Sequence, residues 1–200
     1  MKKIDKIKKI LRIVMLALLV VIIIYALLIV LPKNKTNRKE NEGADKVGIY
    51  TLYKRDTELY KENFNLLKEE LNGEKNKEKI SEYIAKLFII DFYTLSNKDY
   101  KEDVGGLQYV YPSSKDNFIL NASNTMYKYL NTLNEKPTVN KIDLNNIEKT
   151  TYKIDNKEYE GYILDLSWEY EKDLEYDKKG LVTVILDNDN FYVVEKKNGN

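Results

Sequence analysis

An α+β body carried behind a single N-terminal transmembrane helix is the fold class this sequence predicts, and three observations predict it. Residues Ile13–Leu31 form a nineteen-residue run with no charge, glycine or proline. Between about Asp56 and Leu133, apolar residues recur at helical spacing in three blocks. From about Thr138 the period changes to two, with short turn-rich connectors between apolar stretches. Helices first and a meander of strands afterwards implies three helices laid on one face of a curved antiparallel sheet of about four strands.

The apolar run, at about 1.5 Å of helical rise per residue, reaches roughly 28 Å, close to the hydrocarbon thickness of a bilayer. Lipid offers no partner to a backbone N–H, so a helix is the conformer that satisfies this segment. Tyr25–Pro32 contains no small-residue cleavage pattern, and the chain has no cysteine for a lipid anchor. An uncleaved anchor is therefore expected. The tail before it carries six basic residues and one acidic residue. Positive residues stay cytoplasmic, while a long C-terminal part translocates largely regardless of its charge. The expected organisation is a cytoplasmic tail over 1–12, a single-pass helix over 13–31, a polar tether over 32–55 and an extracytoplasmic domain over 56–197.

Within the tether, Val47–Lys54 regains apolar character as either a helical lead-in or a short extended segment. The first helix is predicted over Asp56–Asn72, with Tyr60, Phe64, Leu67 and Leu71 inward, Asp56 as N-cap and Gly73 as stop. The second covers about Asn76–Asn97. Its centre, Leu87-Phe88-Ile89-Ile90, is apolar all round, which predicts contacts on more than one side. Asp103-Val104-Gly105-Gly106 reads as a turn and Leu107–Tyr111 as a short strand. Ser113 and Asp116 have capping-box spacing, opening a third helix that runs to about Leu133. Strands are expected at Glu148–Ile154, at Tyr162–Tyr170 with even positions inward, at Leu181–Leu186 and at Phe191–Lys196. The connectors are short enough for hairpins.

Composition narrows the chemistry. Setting the tail aside from the chain's 33 basic and 32 acidic residues leaves 27 and 31, a net charge of −4. A nucleic-acid binder shows a basic face, so direct nucleic-acid binding is not expected. Without cysteine, no disulfide supports the fold. Without histidine, the commonest general base and transition-metal ligand is missing. No catalytic residue, cofactor or metal is expected. Asp187-Asn188-Asp189-Asn190 does not make a calcium loop, because the twelfth position is Asn198 and offers no bidentate carboxylate. Asn121-Ala122-Ser123 matches a glycosylation sequon but falls inside a predicted helix.

The candidate site residues are Asp91, Tyr109, Tyr111, Trp168 and Tyr170. Asp91 shares a helical face with Ile84, Leu87 and Leu95, so it is expected to point inward. A buried carboxylate needs partners. Asp91 is then either a base or ligand contact, or a structural acid held by tyrosine hydroxyls or backbone amides, or an acid lying at the helix edge. The aromatic residues, with Tyr162, either line a pocket or interface or fill a curved sheet. Tyr170, near the wet end of its strand, is the expected interface residue.

The strings Ile89-Ile90-Asp91-Phe92-Tyr93-Thr94-Leu95-Ser96-Asn97-Lys98 and Asp103-Val104-Gly105-Gly106, with the closing Leu181–Lys196 hairpin, carry a resemblance. The chain resembles the bitopic assembly factors of type IV secretion and conjugation machines, in particular their Gram-positive conjugation branch. The Asn-Pro-x-Gly loop of the Gram-negative branch is absent. The resemblance implies a cone-shaped, nuclear-transport-factor-two-like extracytoplasmic domain in a bacterial cell membrane. It implies a non-enzymatic scaffold that forms homo-oligomers and docks other envelope-channel proteins. The alternatives are an extracytoplasmic small-ligand or isomerase-like pocket protein, in which Asp91 is the base, and an accessory subunit of another envelope complex.

Overall fold

The computed structural model describes residues 45–172 and 175–199. The expected tail, anchor and first part of the tether lie outside them. Among the described residues no helix is long and apolar enough to cross a membrane. What they show is an α+β body with three α-helices and a four-stranded antiparallel sheet.

The body opens earlier than expected. Asp45–Val47 (β1) and Tyr50–Leu52 (β2) pair as a small antiparallel hairpin. Val47 and Tyr50 are buried in the main core. Residues 45–55, assigned to the tether on polarity, are thus part of the packed body. Extended, not helical, is the conformation of the segment left open in the sequence. Five apolar residues among polar ones and a glycine were too short a signal to separate from a linker.

Helix α1 spans Glu58–Asn72. Its N-cap is Thr57, whose side chain accepts from the Tyr60 N–H, and not Asp56. Asp56 instead accepts from the Tyr53 N–H at 2.6 Å, closing the turn before the helix. Helix α2 spans Lys77–Tyr93, capped by the Asn76 carboxamide. It stops four residues short of the predicted end. The Leu95 and Ser96 N–H groups both donate to the Pro137 carbonyl, at 2.8 and 3.2 Å. The Thr94 hydroxyl accepts from the Val139 N–H at 3.2 Å. These bonds draw the chain out of the helix and onto the start of the sheet.

The predicted short strand at Leu107–Tyr111 is a set of turns ending in one parallel bridge, Val110 to Val193. Pro112–Ser114 is a 3-10 turn, and helix α3 covers only Lys115–Asn124. Ser114 stands at its N-cap without a side-chain bond, so the expected capping box does not form. Asn121–Thr125 contains mostly weak helix formers, and the chain continues to Leu133 in turns. The apolar centre of α2 is contacted from both sides, as predicted. One side meets the sheet, and the other meets Phe118 of α3, whose ring lies 5.8 Å from Phe88 and 5.2 Å from Phe92.

The sheet is a meander ordered β3 (Val139–Ile154), β4 (Lys157–Tyr170), β5 (Lys179–Asp187), β6 (Asn190–Asn198). The even positions Tyr162, Leu164, Leu166, Trp168 and Tyr170 face the helices and are buried. Strand β3 begins nine residues before its predicted start. Register shifts between Val139 and Lys141 and between Leu144 and Asn146 break the two-residue period there. At the β5–β6 connection Asn188 and Asp189 have φ of 48° and 63°. That pair is the left-handed geometry of a type I′ hairpin, which Asn and Asp tolerate.

One buried polar atom in α2 is unsatisfied. Ser81 is fully buried, and its hydroxyl has no hydrogen-bond partner among the described residues. A buried hydroxyl left unpaired costs about 1–3 kcal/mol. Ser81→Ala is therefore expected to raise the unfolding free energy by about 1 kcal/mol in denaturant titration, and a loss of stability would contradict the assignment.

Candidate functional site

The two strings that carry the resemblance meet in one place. Asp91, in the last turns of α2, and Lys98, beyond its end, form an ion pair at 2.8 Å with side chains 1% and 0% exposed. The second Asp91 carboxylate oxygen accepts from the Gly106 N–H at 2.7 Å. The Lys98 ammonium also donates to the Asn97 side-chain oxygen at 2.6 Å. Asp91 points inward, as its helical position predicts. Its partners include a lysine, which was not foreseen, and a backbone amide, as one of the alternatives has it.

The paired glycines explain how the chain approaches so closely. A Cβ on Gly105 would lie 1.9 Å from the Asp91 carbonyl oxygen. Gly106 has φ of 74°, and a Cβ there would lie 2.7 Å from the Phe88 ring. The Gly105 N–H donates to the Tyr127 hydroxyl at 3.0 Å, and that hydroxyl donates to the Phe92 carbonyl at 2.6 Å. Asp103 receives both Arg55 amines, at 2.6 and 2.7 Å. Burial works against its charge, but the hydrogen bonds and charge of Arg55 outweigh this and lower its pKa.

Next to this knot lies a chain of buried hydroxyls. Tyr109 is fully buried, and its hydroxyl bonds that of Tyr60. The Gln108 amide donates to Tyr60 at 2.7 Å and to the Thr51 carbonyl at 3.0 Å. The Tyr50 ring stacks on Tyr109, with centroids 5.5 Å apart. Its hydroxyl donates to the Phe191 carbonyl at 2.8 Å and accepts from the Phe191 N–H at 3.0 Å. Burial raises the Tyr109 and Tyr50 pKa values, so both stay neutral donors. The space bounded by Asp56, Tyr60, Asp91 and Asn97 has no room for a water-sized sphere.

Trp168 and Tyr170 close the other end. The Trp168 indole N–H donates to the Tyr170 hydroxyl at 3.0 Å, which donates to the Asp177 carbonyl at 2.8 Å. Tyr170 is 7% exposed, so it does not offer the wet surface expected of it. The Tyr176 ring lies against the Tyr170 ring, with centroids 6.0 Å apart. The Asp177 carboxylate accepts from Tyr93 at 3.0 Å and from Lys196 at 2.8 Å.

No family model, no curated protein and no solved structure matches this chain. What the residues can do is thus read from their own geometry. Asp91, Tyr109, Trp168 and Tyr170 are committed to one another's neighbours in the interior. Among the described residues, no cluster of three His, Cys, Asp or Glu is placed to hold a metal. Tyr111 differs, because it stands beside an open cleft. Its hydroxyl donates to Asp187 at 3.3 Å and meets the Tyr159 hydroxyl at 3.0 Å. That bond to Tyr159, burial and the Asp187 charge raise its pKa. Sequence reasoning missed Lys98, Gln108, Tyr159 and Asp187. For Lys98 the signal was present: an uncompensated inward aspartate requires a donor, and a lysine lies seven positions on.

The carboxylates set a pH dependence. Lys149 and Lys77 hold Glu160 down at about 2, and Asp103 and Asp177 are also lowered. Groups with depressed folded pKa values contribute stability above their unfolded values near 4 and lose it as pH falls through the folded ones. Thermal melts are expected to be level from neutral pH to about 5 and then fall steadily towards about pH 2. Glu160→Gln should flatten the last part of that slope.

Proposed function

We propose that the chain is a membrane-anchored, non-enzymatic assembly subunit of a conjugative transfer, type IV secretion-like, channel. Its N-terminal tail is cytoplasmic in this reading, and its helix-on-sheet body lies beyond the membrane. The body takes the cone-shaped, nuclear-transport-factor-two-like form that the resemblance implies. The observation that carries the reading is the state of Asp91. In a pocket protein of this plan an inward carboxylate is the reacting group, and here it is spent on Lys98 and Gly106 in space closed to water. The interior therefore serves to hold shape, which leaves surfaces to do the work. The uncharged Ile13–Leu31 run supports the anchor.

The test is affinity purification of the full chain from gently solubilised membranes, with crosslinking before lysis. Crosslinked copies of the chain together with other envelope-channel subunits are the expected result. Recovery from membranes as a monomer with no channel subunit would overturn the reading.

A further inference from the structure

Successive strand residues point to opposite faces, and the even positions of β4 face the helices, so Tyr159 belongs to the far face. There a cleft of about 520 Å³ opens between Tyr111-Pro112-Ser113 and the β3–β4 turn. That volume lies within the roughly 300–1,000 Å³ typical of small-ligand sites.

Two kinds of chemistry line it. The first is a fixed aromatic floor. The Tyr111 ring packs edge-on against Tyr159 at 6.1 Å and against Tyr192 at 5.6 Å. Lys157 sits 4.4 Å above the Tyr159 ring and bonds Asp187 at 3.0 Å, so the charges at the floor cancel. The second is an uncommitted polar rim. The side chains of Ser113, Asp155 and Asn156 line the cleft and make no hydrogen bond or ion pair among the described residues.

The geometry points to a binding site for a neutral pyranose ring of a glycan, stacked on Tyr111, which Tyr159 backs from the floor, and hydrogen-bonded to Ser113, Asp155 and Asn156. Such a ring has an apolar C–H face that suits an amphipathic aromatic platform. Its hydroxyls both donate and accept. Asp155 takes donated protons, while Ser113 and Asn156 work in either direction. An anionic ligand would meet the unpaired Asp155, with Lys157 already held by Asp187. An alkyl chain would cover three polar groups and give them no hydrogen bond, which is unfavourable. A ligand ammonium would have to displace Lys157 from the Tyr159 ring.

The experiment is saturation-transfer NMR on the full chain, solubilised without sugar-headed detergent, using cellotetraose, chitotetraose, maltotetraose and n-butylammonium as probes. Saturation of sugar C–H protons by at least one of the three oligosaccharides is expected. Asn156→Ala, at an exposed turn, should weaken that binding severalfold. Tyr111→Ala should weaken it by about tenfold or more, while Tyr111→Phe keeps the ring and most of the affinity. Failure of all three sugars, equal binding by Asn156→Ala and Tyr111→Ala, or transfer to n-butylammonium alone would each overturn the assignment.

Discussion

Gly105→Ala is expected to cost more than about 4 kcal/mol of unfolding free energy, beyond the usual range for overpacking. The new Cβ would stand 1.9 Å from the Asp91 carbonyl oxygen and 2.5 Å from its carbon, with the Lys98 Cε at 2.9 Å. Two of those three atoms are helix backbone, which cannot rotate aside as a side-chain end can. The segment must lift off α2, and the Gly106 N–H then leaves Asp91. Since a domain of this size is stabilised by only about 5–15 kcal/mol, little folded protein should remain at physiological temperature. Trp168 is the single tryptophan and is buried, so its fluorescence in a denaturant titration reports the loss. A midpoint unchanged from the parent would show that the glycine turn does not seat as described.

Lys98→Met should cost about 3–5 kcal/mol, the usual penalty for leaving one member of a buried pair alone. Methionine replaces most of the volume of the lysine stem, so the loss reports the charge and not a void. The Asp91 carboxylate keeps the Gly106 N–H but loses its lysine counter-charge. In Asp91→Asn/Lys98→Met the carboxamide oxygen still accepts from Gly106 and no charge is buried. That double variant should regain most of the loss, because well-matched neutral groups in place of a buried pair are often neutral or stabilising. The comparison requires the same titration on all four members of the cycle. A single variant as stable as the parent, or a double variant no better than Lys98→Met, would mean that the pair does not hold the knot.

Much of this architecture is legible in the sequence. The three helices, the order of the strands and the inward even positions of β4 follow from periodicity alone. Periodicity fails where a tertiary contact overrides local preference. Pro137 draws Leu95 and Ser96 out of α2, and two register shifts hide the first half of β3. The segment at 45–52 stayed open between helix and strand because its burial depends on Tyr50 reaching Phe191, which no local pattern encodes. The same limit applies to the site. Asp91 was readable as an inward acid from its helical phase. Lys98, reaching in from beyond the helix, and Tyr159, brought to Tyr111 by the sheet, depend on the assembled fold.

The bond between Tyr50 and Phe191 spans 141 residues, nearly the full length of the body. Val193 likewise holds the backbone of Tyr109 and Tyr111. During synthesis, therefore, the first hairpin emerges long before its lock. Tyr50 and Tyr109 must wait, exposed, until the final strand leaves the ribosome. Contacts so distant in sequence slow folding and lengthen the interval in which apolar surface is open to aggregation. A nascent chain stalled ahead of Asn190 has every helix and yet cannot close, which makes the last strand the latch of the whole body.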